Sequence, residues 1–482
     1  MKPFIHLFET PKNYYFYDVN KNQNICVDKE LYFYLTELLK DENVEVPNEE
    51  IKSKIKELKE DGYLSENRVE KIYHPETENL ETYLERQIDM LIIQLTHLCN
   101  LRCSYCSYTS NDGTGRLHGN KTISFDIAKK SIDFYRDRSV DSETATLNFY
   151  GGEPLLEFEL FKKCVDYFEY AFKGKKRSFL ITTNGTMLTS NVANYLESKD
   201  FKVLVSLDGP KTTNDKNRKF ANSDKSVFDL VVKNLSKIKD ENKKLFSNLS
   251  INMVLDPSLP FHDYYSIFDE YPFFRDIAIR MTIIDDSNLI NKVKMSQEFL
   301  RGYGYHRFLS YLHSLGRIDL SDRLYTIDNF IGENVNILNG LILQKTLGKV
   351  NAPGGPCIPG KTRLMVDVDG NFFPCERVSE LIDRHCIGDV FTGFKYDKAL
   401  NILNIANDVK YDCKDCFAFR QCSICIKAHE CRNIDPKLIM HECNSSRGNF
   451  HNKLIAMEIV NEIRTGELDT KGSRMAESEV LS

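Results

Sequence analysis

Apolar and polar positions follow two different periods along this chain, and the changes of period mark out its parts. Short apolar runs recur at Met90–Leu95, Ala145–Tyr150, Ser178–Thr183, Lys202–Leu207, Leu249–Leu255 and Ile277–Ile284. Stretches of helical period such as Ser124–Arg138, Pro154–Phe172 and Ser226–Lys239 separate them. This alternation predicts parallel strands joined by crossover helices. About six strands, short of the eight that close a full barrel, make residues 90–286 a partial (β/α)6 TIM barrel of the α/β class, with a cleft wide enough for a peptide.

The flanks read differently. Phe4–Phe8, Tyr14–Asp18 and Asn24–Val27 are strand candidates between polar turns, followed by a helix carrying Leu31, Phe33, Leu35, Leu38 and Leu39. A second helix starts after Pro47, with Asn48 as cap, Glu49 and Glu50 in its first turn, and Ile51, Ile55 and Leu58 on one face. Residues 1–75 are thus a small α+β module, and 76–89 a charged link into the barrel. From 287 to 349 the pattern is helical and aromatic (Phe299, Tyr303, Tyr305, Phe308, Tyr311), a bridge expected to carry no chemistry. Residues 350–448 are rich in cysteine, and 449–482 form a C-terminal helix and tail.

Composition narrows the class. With 41% hydrophobic and 28% charged residues the chain reads as a soluble globular protein, long enough at 482 residues for several domains. A net charge of −6 supplies no basic field for nucleic acid or anionic lipid. No apolar run approaches the ~20 residues of a membrane helix, and the N-terminus lacks a signal-peptide pattern. The expectation is a cytoplasmic protein with reduced thiols and neither nucleic acid nor membrane among its partners. Fourteen cysteines then call for metal rather than disulfides. Cys26 and Cys164 stand alone, the latter reading as a buried thiol in a helix; the others fall in two fields.

The first field is Cys99-Asn-Leu-Arg-Cys103-Ser-Tyr-Cys106, directly after the Met90–Leu95 strand. A closed zinc or iron–sulfur centre takes four protein ligands. Three thiolates on a 4Fe–4S cube leave one iron open to a small molecule, with Tyr105 placing an aromatic face beside it. A zinc knuckle lacking its fourth ligand, or thiols packed as small apolar groups, are the plainer readings. The spacing resembles the identifying motif of the radical S-adenosylmethionine (radical SAM) superfamily, whose members have a partial barrel. The resemblance implies S-adenosylmethionine on a cluster held by Cys99, Cys103 and Cys106. It also implies that Gly151, Gly152 and Glu153 of Gly-Gly-Glu-Pro154 hold the methionine ammonium. Asn184 closes the third strand, and Ser206 and Asp208 close the fourth, where the family contacts ribose or carboxylate. Asn214-Asp-Lys-Asn-Arg218 resembles the family's HDxxR stretch with Asn in place of His, so that Arg218 would pair the carboxylate.

The second field runs from Cys357 through Gly370-xxxx-Cys375 to Cys413-xx-Cys416-xxxxx-Cys422-xx-Cys425 and Cys443. It resembles the SPASM domain, although the block ends CxxC rather than CxxxC. The resemblance implies two auxiliary 4Fe–4S clusters, hence three in all. One would take Cys413, Cys416, Cys422 and Cys443; the other Cys357, Cys375 and Cys425, with Cys386, Cys431 or an open site as the fourth. Paired zinc ribbons are the rival reading of the spacing. Glu376 occupies the position where sulfatase-maturing relatives carry an acidic base.

The N-terminal strands and helices resemble the RiPP recognition element, a winged-helix-like module that receives a precursor's leader as an added strand against its third strand. Together these resemblances imply a maturase of a Cys-rich precursor peptide. It would form thioethers from Cys sulfur to carbon and draw electrons from a flavodoxin- or ferredoxin-type reductant. Epimerisation, carbon–carbon cross-linking and formylglycine formation are alternatives on the same scaffold, and a zinc-ribbon binding protein is the alternative outside catalysis.

Overall fold

The structure is a computed structural model describing residues 2–106, 108, 118–286, 292–319, 337, 339–429 and 436–465, without side chains at 410–411, 428–429 and 436–438. Cys431, much of the 287–349 bridge and the tail beyond 465 lie outside the described residues. The strands are β1 (Ile5–Glu9), β2 (Tyr14–Asp18), β3 (Gln23–Val27), β4 (Lys71–Ile72), β5 (Met90–Thr96), β6 (Thr144–Gly151), β7 (Lys176–Thr183), β8 (Phe201–Ser206), β9 (Leu249–Leu255), β10 (Ala278–Ile283), β11 (Val350–Asn351), β12 (Leu364–Val366), β13 (Asn371–Phe373), β14 (Gly388–Asp389) and β15 (Gly393–Phe394).

Strands β5 to β10 lie side by side in chain order, all parallel, as the α/β partial barrel requires. Their period of two separates the faces. In β6, Ala145, Leu147 and Phe149 are buried, with Phe149 packing at 4.4 Å on Phe161 of helix Phe158–Ala171. Thr146, Asn148 and Tyr150 turn to the opposite, inner face.

The sheet does not stop at β5. Strand β12 pairs parallel to it, Leu364 opposite Leu91, and β13, β14 and β15 follow antiparallel, making ten strands in one sheet. The cysteine-rich region is therefore continuous with the barrel through backbone hydrogen bonds.

The N-terminal module is as read: β1, β2 and β3 form an antiparallel sheet, followed by helices α1 (Lys29–Lys40) and α2 (Glu49–Glu60). The Asn48 side chain caps α2, accepting from the Ile51 N–H at 2.8 Å. One face of the sheet shares a core with these helices through Ile5, Phe16, Val27, Leu31, Leu35 and Ile51. Its other face joins the main core, where helix Pro436–Thr465 crosses it. Tyr17 meets Phe450 edge-on at 5.1 Å, and buried Glu462 accepts from Thr10, Asn13 and Tyr15. Arg420 donates to the carbonyls of Val19 and Asn20. The link at 76–89 contains a helix, Leu80–Arg86, with Leu80 and Leu84 buried, so this part is structured rather than a tether. Helix Gln297–Ser314 lies where the aromatic bridge was expected.

Candidate active site

The site forms where β5, β6, β7 and β8 end. Strand β5 runs into the Cys99–Cys106 loop, and the end of β6 clasps that loop by its backbone. The Gly152 N–H donates to Thr96 O at 2.8 Å and the Glu153 N–H to Leu98 O at 2.7 Å. Gly151 has φ +131°, and a Cβ on Gly152 would lie 2.0 Å from the Leu98 carbonyl oxygen. The resemblance gives the glycine pair, with Glu153, to the methionine ammonium. The nearest demand on the pair is the approach of the cysteine loop's own backbone. On the other side, the Arg102 N–H donates to Lys219 O and the Ser104 N–H to Asn217 O, so residues 217–219 hold the loop from beyond β8.

The three thiols lie close enough to perturb one another. Burial pushes Cys99 up to about 11 and Cys103 up to about 12, and each is raised further by Cys106. Such thiols stay protonated unless a metal displaces the proton. Donors nevertheless converge on their sulfurs: the Leu101 N–H on Cys99 Sγ at 3.4 Å, Asn184 Nδ2 on Cys99 Sγ at 3.9 Å, and Arg218 Nη1 on Cys103 Sγ at 3.8 Å. Donors aimed at buried sulfur fit metal-bound thiolates better than neutral thiols.

Glu153 is fully buried and accepts from the Asn184 N–H at 2.7 Å, Thr183 Oγ1 at 2.8 Å and the Leu155 N–H at 3.1 Å. Burial outweighs these donors and raises its carboxyl to about 7. Asn184 bridges Glu153 to the loop, its Nδ2 also donating to Asn100 Oδ1 at 2.8 Å. Asp208 accepts from the Tyr105 hydroxyl, from Arg218 Nε at 2.9 Å and from the Val254 N–H at 3.0 Å. Tyr105, Asp208, Arg218 and Cys103 thus form one chain of contacts. The structure pairs Arg218 with Asp208. Asn214, at the expected histidine position, accepts from the Asp208 N–H at 3.0 Å. Ser206 is the half-buried last residue of β8.

In the C-terminal region Cys413, Cys416, Cys422 and Cys443 line a single cavity with Phe419, Ile424 and Arg447. Arg447 Nε donates to Cys416 Sγ at 3.4 Å. Cys357, Cys375 and Cys425 form a separate group: burial raises Cys357 and Cys375, the latter to about 11, and Cys425 raises both further. Cys386 directs its thiol to the Gly388 carbonyl at 3.3 Å. Among the described residues no three Cys, His, Asp or Glu side chains converge closely enough for a single metal ion. Glu376 pairs with Arg363, Oε1 to Nη1 at 2.5 Å.

Two residues at the site carry no motif. Gln94 is a fully buried polar residue within apolar β5, and its Nε2 donates to Glu380 Oε1 at 2.5 Å and to Tyr108 Oη at 2.8 Å. The polar interruption of an apolar run was a readable sign for Gln94. Nothing local marks Glu380.

Comparison with known proteins agrees with this geometry. Residues 93–270 match the model of the Radical SAM superfamily. A cysteine-type anaerobic sulfatase-maturating enzyme of Clostridium novyi is 24% identical over 348 residues, covering 70% of this chain and 87% of that enzyme. An uncharacterized protein of Methanocaldococcus jannaschii is 35% identical over 139 residues, which cover 29% of this chain and 45% of that protein, under half its length. Among solved structures, anSMEcpe with bound AdoMet shares the fold at a TM-score of 0.55 and 21% identity, covering 78% of this chain and 99% of that one.

Proposed function

From the premise that the chain is a radical SAM enzyme related to the anaerobic sulfatase-maturating enzymes, we propose that it matures a ribosomally made, Cys-rich precursor peptide by linking Cys sulfur to carbon. The observation that carries this reading is one sheet edge. Strand β3 ends its sheet and, among the described residues, has no strand on its outer side. An extended peptide can add there by backbone hydrogen bonds, on a module packed against the C-terminal thiol region.

Cys99, Cys103 and Cys106 would hold the 4Fe–4S cluster that binds S-adenosylmethionine. That pair, once reduced, supplies a 5′-deoxyadenosyl radical able to take hydrogen from carbon. The chain's own residues place the molecule. Glu153, with Gly151 and Gly152, would receive the methionine ammonium; Asn184 and Ser206 line the strand ends; Asp208 holds Tyr105 and Arg218 against the loop. Cys413, Cys416, Cys422 and Cys443 would hold one auxiliary cluster, and Cys357, Cys375 and Cys425 another. We assign residues 1–75 to leader binding, 90–286 to radical chemistry and 350–448 to the auxiliary clusters, with a flavodoxin or ferredoxin as electron donor.

A second reading, formylglycine formation, is favoured by the C. novyi enzyme's match over 70% of this chain. Incubation of the reduced enzyme with a small Cys-rich peptide encoded beside it, read by tandem mass spectrometry, separates them. A loss of two hydrogens at each link supports thioethers. Loss of two hydrogens together with exchange of sulfur for oxygen at a Cys supports formylglycine, and unchanged mass with an inverted centre supports epimerisation.

A further inference from the structure

Arg218 is a buried cation beside the cysteine loop, 6% exposed, and its place is fixed by the loop itself. The carbonyls of Asn217 and Lys219, its two neighbours in sequence, accept from the Ser104 and Arg102 N–H groups. The Ser104 hydroxyl donates to Asn217 Oδ1 at 2.6 Å. With its backbone held on both sides, the guanidinium reaches back into the loop. Its Nη1 donates to Cys103 Sγ at 3.8 Å and its Nε to Asp208 Oδ2 at 2.9 Å, while its Cζ stands 5.6 Å from the centre of the Tyr105 ring. The Tyr105 hydroxyl donates to the same Asp208 carboxylate.

The thiols of the loop are not met alike. The donors on Cys99 Sγ, the Leu101 N–H and the Asn184 amide, are neutral. Cys103 Sγ faces a full positive charge, one that a guanidinium does not lose in a protein. A charge buried this deeply needs a counter-charge, and Asp208 supplies it through a different nitrogen from the one that meets the sulfur. Net charge and hydrogen bonds at the sulfurs are among the levers that set the potential of an iron–sulfur cluster.

We propose that Arg218 raises the reduction potential of the cluster held by Cys99, Cys103 and Cys106, bringing it within reach of the electron donor, and that Asp208 tempers the effect. One electron passes from a reduced flavodoxin- or ferredoxin-type protein, which is oxidised, to the cluster, which is reduced; no bond forms or breaks and no proton moves. The added negative charge is favoured by a guanidinium on the Cys103 sulfur and opposed by the carboxylate behind it. The assignment rests on the radical SAM reading above. It gives Arg218 a role in the electron step, exerted through Cys103, besides the carboxylate contact that the resemblance implies.

The test uses the reconstituted full-length enzyme without S-adenosylmethionine, so that contacts to that molecule do not enter. A redox titration followed by electron paramagnetic resonance reads the signal that a Cys99→Ala, Cys103→Ala, Cys106→Ala variant lacks. Arg218→Gln is expected to lower the midpoint by about a tenfold change in the reduction equilibrium or more, which is ~59 mV for one electron. Asp208→Asn should raise it, and Arg218→Lys, which keeps the charge, should shift it less than Arg218→Gln. The double variant Arg218→Gln, Asp208→Asn leaves neither charge buried and should fall between the two single variants. With S-adenosylmethionine added, deoxyadenosine formation driven by dithionite should drop in Arg218→Gln and recover with the stronger reductant titanium(III) citrate. A purely structural role would cost iron without moving the two single variants in opposite directions. Shifts of the same sign in Arg218→Gln and Asp208→Asn, or midpoints equal to that of wild type, overturn the proposal. Where Arg218→Gln loads no iron, Asp208→Asn decides: a raised midpoint supports the proposal, and a lowered or unchanged one overturns it. A wild-type enzyme without the signal overturns the cluster reading itself, and is recognised because it then matches the triple cysteine variant.

Discussion

Replacing Gly152 with Ala probes the join between β6 and the cysteine loop. The added methyl would lie 2.0 Å from Leu98 O, 2.5 Å from Leu98 C and 2.9 Å from His97 C, all backbone atoms that cannot rotate away. Ordinary C···O contacts are about 3.3 Å or longer, so the loop must retreat by roughly 1 Å, carrying Cys99 with it. A shift of ~1 Å at a reacting centre costs on the order of 10²-fold in rate, and overpacking of this kind costs about 1–3 kcal/mol in stability. Iron content, S-adenosylmethionine binding and reductant-driven deoxyadenosine formation should therefore fall together in Gly152→Ala, deoxyadenosine by about 100-fold. Gly304→Ala is the control. Gly304 lies within helix Gln297–Ser314, its Cβ would meet nothing within 4 Å, and Ala there should stabilise by about 0.5–1 kcal/mol. Wild-type iron loading and turnover in Gly152→Ala would show that the close approach is not needed.

Other consequences concern charge and docking. With the Glu153 carboxyl raised to about 7 by burial, S-adenosylmethionine should bind more weakly as pH falls through 7, because the protonated acid no longer accepts from the ammonium. Equilibrium dialysis with the oxidised enzyme checks this, and Glu153→Gln should flatten the profile. Because the shift is upward, the same group costs the ligand-free protein stability as pH rises from the ordinary carboxylate range towards 7. Glu462→Leu would strand the donors of Thr10, Asn13 and Tyr15 at about 1–3 kcal/mol for each that finds no water; an unaltered melting temperature would contradict the docking described. For the same reason deletion of residues 1–75 should weaken the cysteine-rich region, beyond any effect on the proposed leader binding, which sedimentation and iron analysis of the truncated protein would detect.

The parts legible in the chain are those set by near neighbours. The period of two in β6 and β9, the Asn48 cap of α2 and the spacing of Cys99, Cys103 and Cys106 are local, and each stands where it was read. The illegible parts are contacts between distant segments. Nothing in Leu364–Val366 announces that it will pair with β5, because a three-residue apolar run has no period of its own. The face of β2 bearing Tyr15 and Tyr17 looks like a module's own surface until helix Pro436–Thr465 supplies Phe450 and Glu462. The glycine pair was legible as a motif, but the motif does not say that the Leu98 backbone packs directly against it. Gln94 is readable as a polar interruption of an apolar strand, but that Glu380 is its partner is visible only once the two are seen together.

The central claim is that the loop after β5 holds a cluster which cleaves S-adenosylmethionine. Its most direct test is 5′-deoxyadenosine released by the reduced, anaerobically reconstituted enzyme, measured beside iron and sulfide in wild type and in the Cys99→Ala, Cys103→Ala, Cys106→Ala triple variant. The account predicts deoxyadenosine from wild type and none from the variant, which should keep the iron and sulfide of the C-terminal thiols. Turnover that survives the triple change, or a wild-type protein holding zinc without sulfide, would contradict it.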